Sequence, residues 1–145
     1  ARLYQIDNKQ LLFDITNVYG KNNFRGTDDE SSLKINFNNL FEAELEVSIK
    51  KNLTKPTIIH GSKGKIIISK PWLPNKHSKI ELEINDNTYT NNITSKYSVY
   101  ANTIKAASNE IEQKNFFCKY PNMTWQDSIF VSKILTEWKN CLYKV

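Results

Sequence analysis

The stretch Ile58–Pro74, reading IIHGSKGKIIISKPWLP, decides how this chain folds. Two β-branched runs flank Gly61-Ser62-Lys63-Gly64. Glycines at that spacing let the backbone turn through positive φ without a Cβ penalty, so the segment reads as a tight hairpin. Its second strand, Lys65 to Ser69, is nearly all isoleucine and is expected to be central in its sheet. The hairpin ends abruptly at Pro71-Trp72-Leu73-Pro74, a rigid loop that carries an aromatic.

Outward from this hairpin the period of two persists as far as about Asn87. Leu11, Phe13 and Ile15 alternate with polar or smaller partners, and so do Ile35 and Phe37. The same holds for Phe41, Ala43, Leu45, Val47 and Ile49, and again for Ile80, Leu82 and Ile84. Such alternation sets one face on a core and the other toward water or a partner. Asn38-Asn39 suits a hairpin turn between two of these runs.

After Asn92 the period becomes helical. Tyr97, Tyr100, Ala101, Ile104, Ala107 and Ile111 form one stripe, with Ser95 as the expected N-cap. A second helix is expected from Thr124, where T-W-Q-D reads as a capping box closed by Asp127. Its expected stripe is Ile129, Leu135, Trp138 and Leu142, flanked by Val131 and Ile134, with Trp125 also read as core. Strands first and helices later imply an α+β fold: an open, mainly antiparallel β-sheet with helices packed on one face. At 145 residues the chain is expected to form one domain, residues 1–145.

Composition excludes several function classes. The formal charge is +5, but lysine outnumbers arginine 18 to 2 and the lysines are scattered. Arginine forks for phosphate or guanine are nearly absent, so no nucleic-acid partner is expected. No apolar run exceeds three or four residues, which argues against a signal peptide or membrane span and makes the cytoplasm the expected location. Cys118 and Cys141 stand far apart with no C-x-x-C and no histidine nearby, and read as buried, reduced cysteines rather than metal ligands.

The hairpin also carries a family pattern, G-[ST]-x-G-x-I-x-I-x-x-P-W, matched from Gly61 to Trp72. Upstream lie Gly26-Thr27-Asp28, then Ile35 and Phe37. Downstream, Met123-Thr124-Trp125-Gln126-Asp127-Ser128 precedes an L-x-x-W-[RK] match at Leu135 to Lys139. In that order these segments resemble the C-terminal domain of the glucose–fructose oxidoreductase / inositol dehydrogenase family (Gfo/Idh/MocA), from about Asn17 onward. The resemblance implies the same α+β domain, and a parent enzyme that uses NAD or NADP on a sugar, polyol or similar hydroxyl compound.

It also implies a missing half. Family members bind their cofactor on a G-x-G-x-x-G turn in an N-terminal Rossmann domain. The four glycines here, Gly20, Gly26, Gly61 and Gly64, cannot form one, so no cofactor is expected to bind this chain. The family's E-K-P lysine and its catalytic histidine lie upstream of the matched region. Lys55, Lys70, His60 and His77 therefore inherit neither role, and no catalytic or metal-binding residue is expected. The opening Ala1-Arg2-Leu3-Tyr4 reads as a cut within a longer protein.

The residues left for function are few. Glu42, Glu44 and Glu46 alternate with core positions, as do Glu81 and Glu83, near Lys34 and Asn36. Carboxylates at i and i+2 on an outer strand face are ordinarily solvated. In the resembled family that face often packs on another subunit, which makes a wet homo-oligomer interface the middle reading. Trp72 reads either as a core tryptophan or as a ring presented by the proline-stiffened loop. Asp28 reads as a turn or cap residue, and otherwise as a substrate-side contact. Two functions remain: the substrate and assembly domain of an NAD(P)-dependent oxidoreductase, or a stand-alone, non-catalytic binding or assembly module.

Overall fold

Three strands lead the computed structural model, which describes residues 12–38 and 40–143. These are β1 (Phe13–Asn22), β2 (Asp28–Phe37) and β3 (Phe41–Ser48), antiparallel in the order β1-β2-β3. Ile35 lies opposite Ile15 on one side and Ala43 on the other. As the interior strand, β2 shows the alternation most clearly: Asp29, Ser31, Leu33, Ile35 and Phe37 are buried and their neighbours half-buried. Asn38 takes the positive φ (51°) that this turn requires, while Asn39, like Leu11, lies outside the described residues.

Helix α2 (Trp125–Leu142) covers the buried face. It starts where the sequence places it: the Thr124 hydroxyl accepts the Asp127 N–H, and the Asp127 carboxylate accepts the Thr124 N–H at 2.8 Å. Trp138 packs with Leu33, Ile35 and Phe37, and Phe130, Ile134 and Leu142 join it. Those four helix residues are spaced by four, which keeps them on one side of the helix. The expected stripe is therefore corrected. Ile129, Val131, Leu135 and Trp125 are exposed and Phe130 takes the inner place. Ile129 is nine positions from Trp138, about 180° around at 3.6 residues per turn. Phe130 meets Phe13 edge-on at 5.7 Å between ring centroids, and Phe37 stacks on Phe41 at 4.5 Å. On β3 only Phe41 and Ala43 reach this core, and Leu45, Val47 and Ile49 are exposed, against expectation.

A second antiparallel sheet contains β4 (Thr57–Gly61), β5 (Gly64–Ile68), β6 (His77–Ile84) and β7 (Asn87–Thr94), in that order. Gly61 pairs with Gly64, so Ser62-Lys63 forms the turn, and the isoleucine strand β5 is interior, as expected. A β-carbon at Gly64 would overlap the Glu83 carbonyl oxygen, which is why glycine stands there. Between β6 and β7, Asn85 and Asp86 both take positive φ, 47° and 62°, the primed-turn geometry that matches strand twist. Helix α1 (Val99–Glu112) is capped by Ser98, not Ser95. None of its residues is buried, and Tyr100, Ile104 and Ile111 of the expected stripe are exposed.

The architecture is α+β with open antiparallel sheets. Contacts divide the chain into two units, Ala1–Leu53 with Phe117–Val145, and Thr54–Phe116. Among the described residues no helix is long and apolar enough to cross a membrane.

Candidate functional site

Asn23 organises the turn that presents Asp28. Its side-chain carbonyl accepts the N–H groups of Arg25 (2.8 Å) and Thr27 (3.2 Å), and its Nδ2 donates to Asp29 Oδ1 (3.1 Å). This Asx-turn bonding holds Gly26 at a φ of 76°. The Gly26 carbonyl then accepts the Tyr143 hydroxyl at 3.0 Å. Asp28 follows at the start of β2 and lines a cleft of 690 Å³ together with Val47, Trp138, Lys139 and Tyr143. The Trp138 indole N–H is buried with no hydrogen-bond partner among the described residues. A carboxylate, an ammonium and a phenol in its lining can hydrogen-bond hydroxyl groups. Among the described residues no histidine lines the cleft.

Asp28 was legible as a candidate from its motif, whereas Lys139 and Tyr143 were not. The signal available was position in the chain: Lys139 follows Trp138, and Tyr143 follows the last helical residue, Leu142.

Next to Asp28, Asp29 is only 2% exposed. Its carboxylate pairs with the Lys50 ammonium. The Lys50 hydrogen bond pulls the carboxyl below its ordinary pKa, burial pushes it the other way, and the Asn23 hydrogen bond reinforces the lowering. Its backbone carbonyl also accepts the Ile49 N–H at 3.0 Å, so this buried charge sits within a bonded network.

The outer face of the three-stranded sheet carries Glu42, Glu44 and Glu46, which lie opposite Asn36, Lys34 and Ser32 in register. Lys34 Nζ contacts Glu42 at 2.6 Å, and the hydrogen bond and charge of Glu42 raise the Lys34 pKa, with a smaller contribution from Glu44. Lys51 pairs with Glu30 at 2.6 Å and is raised for the same reason. Glu81 and Glu83 belong to β6 of the other sheet, where they pair with Lys79 (2.8 Å) and Lys65 (2.9 Å). All these pairs are partly exposed and screened, so each is worth little on its own.

Trp72 is 81% exposed, so it is not a core tryptophan. It belongs to the Thr54–Phe116 unit, whereas Asp28 and the three glutamates belong to the other. Cys118 is exposed rather than buried, Cys141 is half-buried, and neither is in a disulfide. Among the described residues no group of three or more His, Cys, Asp or Glu could hold a metal ion. No protein-family model matches this chain, and no curated protein does.

Proposed function

We propose that this chain is the substrate-side and assembly domain of an NAD(P)-dependent oxidoreductase acting on a sugar, polyol or related hydroxyl compound. The observation that carries the reading is the order of three motifs: Gly26-Thr27-Asp28, the Gly61–Trp72 hairpin and the Met123–Lys139 helix. Hydride transfer in such an enzyme requires a dinucleotide seated on a glycine-rich turn, and this chain's four glycines do not supply one. Its own contribution is recognition. Asp28, Lys139 and the Tyr143 hydroxyl provide hydrogen-bonding groups for a polyhydroxy substrate, and Glu42, Glu44 and Glu46 offer a polar subunit contact.

The test begins with the coding sequence around Ala1. A G-x-G-x-x-G turn followed by E-K-P upstream, together with micromolar NADH binding by the full protein and none by the 145-residue chain, supports the proposal. A start codon immediately before Ala1, or micromolar NADH binding by the 145-residue chain alone, overturns it. The first of those results would leave a stand-alone, non-catalytic binding or assembly module.

A further inference from the structure

The Thr54–Phe116 unit contains a cavity of 490 Å³ whose lining includes Ile68, Lys70, Pro71 and Pro74 from the hairpin and its proline loop. Its floor is apolar. Ile68 pairs with Ile80 and Ser78 with Ile93, so the three isoleucines share one face of the sheet. Pro71 and Pro74 stiffen one wall, and Tyr97 and Val99 close another. That second wall is braced. The Ser95 hydroxyl donates to the Tyr97 carbonyl at 2.8 Å and accepts Asn102 Nδ2 at 3.1 Å, which ties the first turn of α1 to the end of β7. Lys96 and Lys105 place their ammonium groups 5.5 and 4.9 Å from the Tyr97 ring centroid.

The lining is one-sided in charge. Lys70, Lys76 and Lys79 line the cavity, and among the described residues no carboxylate does. Lys79 is neutralised by Glu81 at 2.8 Å. Lys70 and Lys76 have no ion-pair partner among the described residues. The first turn of α1, which contributes Val99 and Asn102, is capped by the Ser98 hydroxyl but carries no acidic residue, so no side-chain charge there offsets the positive end of its dipole. A volume in the range of small-molecule sites, an apolar body and a lining that includes lysines define a ligand by complementarity.

We propose that this cavity binds a small organic anion, with a ring-sized apolar body against Ile68, Ile80 and Ile93 and a carboxylate or phosphate head toward Lys70 and Lys76. A nucleic acid would need cations along a track rather than around one cavity. The proposal stands apart from the oxidoreductase reading, because none of the groups it uses is one to which that reading assigns substrate recognition or subunit contact.

Amide chemical-shift titration of the 145-residue chain tests it, with phenyl phosphate, phenylacetate, inorganic phosphate and benzyl alcohol as probes. Saturable shifts confined to Ile68–Asn102 are expected for phenyl phosphate or phenylacetate, and the stronger of the two identifies the head group. Lys70→Gln/Lys76→Gln should weaken that binding roughly tenfold, as loss of two partly exposed ion pairs implies, while a dispersed spectrum reports that the variant is folded. Lys63→Gln, outside the cavity, should bind like the parent chain. No saturable shift with either aromatic anion overturns the proposal. So does equal binding of benzyl alcohol or of inorganic phosphate, or unchanged affinity in the double variant.

Discussion

The Tyr143 hydroxyl donates to the Gly26 carbonyl across 117 positions of sequence, at 3.0 Å, and ties the end of α2 to the β1–β2 turn. This bond closes the cleft beside Asp28 and anchors the helix end that carries Trp138 and Leu142. Tyr143→Phe should cost about 0.5–1 kcal/mol, the net value of one hydrogen bond at a partly exposed site. Urea denaturation measures the loss, and faster amide exchange in the last turn of α2 should accompany it.

Trp138, on the helix that covers the inner face of the three-stranded sheet, and Glu44, on the outer face, should respond very differently to truncation. Trp138→Ala should destabilise by about 3–5 kcal/mol, as loss of a large core aromatic does. Glu44→Ala should remain within about 0.5 kcal/mol of the parent chain. Similar losses in urea melts of the two variants would refute this assignment of faces.

Asp29 makes stability depend on acid. Its folded-state pKa lies below the ordinary 3.8, chiefly through the Lys50 hydrogen bond. Above the unfolded value the carboxylate's contribution is fully present. As pH falls through the lower folded value the unfolded chain has already taken up its proton, and the contribution is lost. The melting midpoint should therefore drop as pH falls below the unfolded value. Asp29→Asn should melt lower at neutral pH and show a shallower acid dependence. Circular-dichroism melts across the acid range check both, and an equally steep decline in the variant would assign the effect to other groups.

Gly64→Ala should destabilise by about 1–3 kcal/mol, since the added carbon meets the Glu83 backbone, which cannot give way as a side chain can. Gly61→Ala meets its nearest atom at 3.5 Å, an ordinary contact, and should cost less. Chemical denaturation of the pair reads the difference directly.

The glutamate face yields a prediction about assembly. A polar subunit contact through Glu42, Glu44 and Glu46 should be wet and salt-sensitive. Light scattering should give a dimer or larger species at low salt that dissociates at high salt, and Glu44→Lys should shift it toward monomer. A monomeric mass at every concentration, or an oligomer indifferent to Glu44→Lys, would remove the proposed interface.

By itself the sequence determined the class of most elements; β7, which lies past the end of the period-two signal, was the exception. Side chains alternate along a strand and recur every 3.6 residues along a helix, so Ile35 and Phe37, and later Ile134 and Trp138, declare their element locally. The Thr124–Asp127 cap and the Gly61–Gly64 hairpin were legible for the same reason, because their bonds join near neighbours. Asp28 was legible only as a motif residue. Only the tertiary structure decided that the strands split into two sheets, that Phe130 replaces Ile129 beside Trp138, that the α1 stripe stays exposed, and that Lys139 and Tyr143 reach the cleft. A periodic pattern records that an element has an apolar side. Which surface covers that side depends on pairings between residues far apart in the chain, and those leave no local trace.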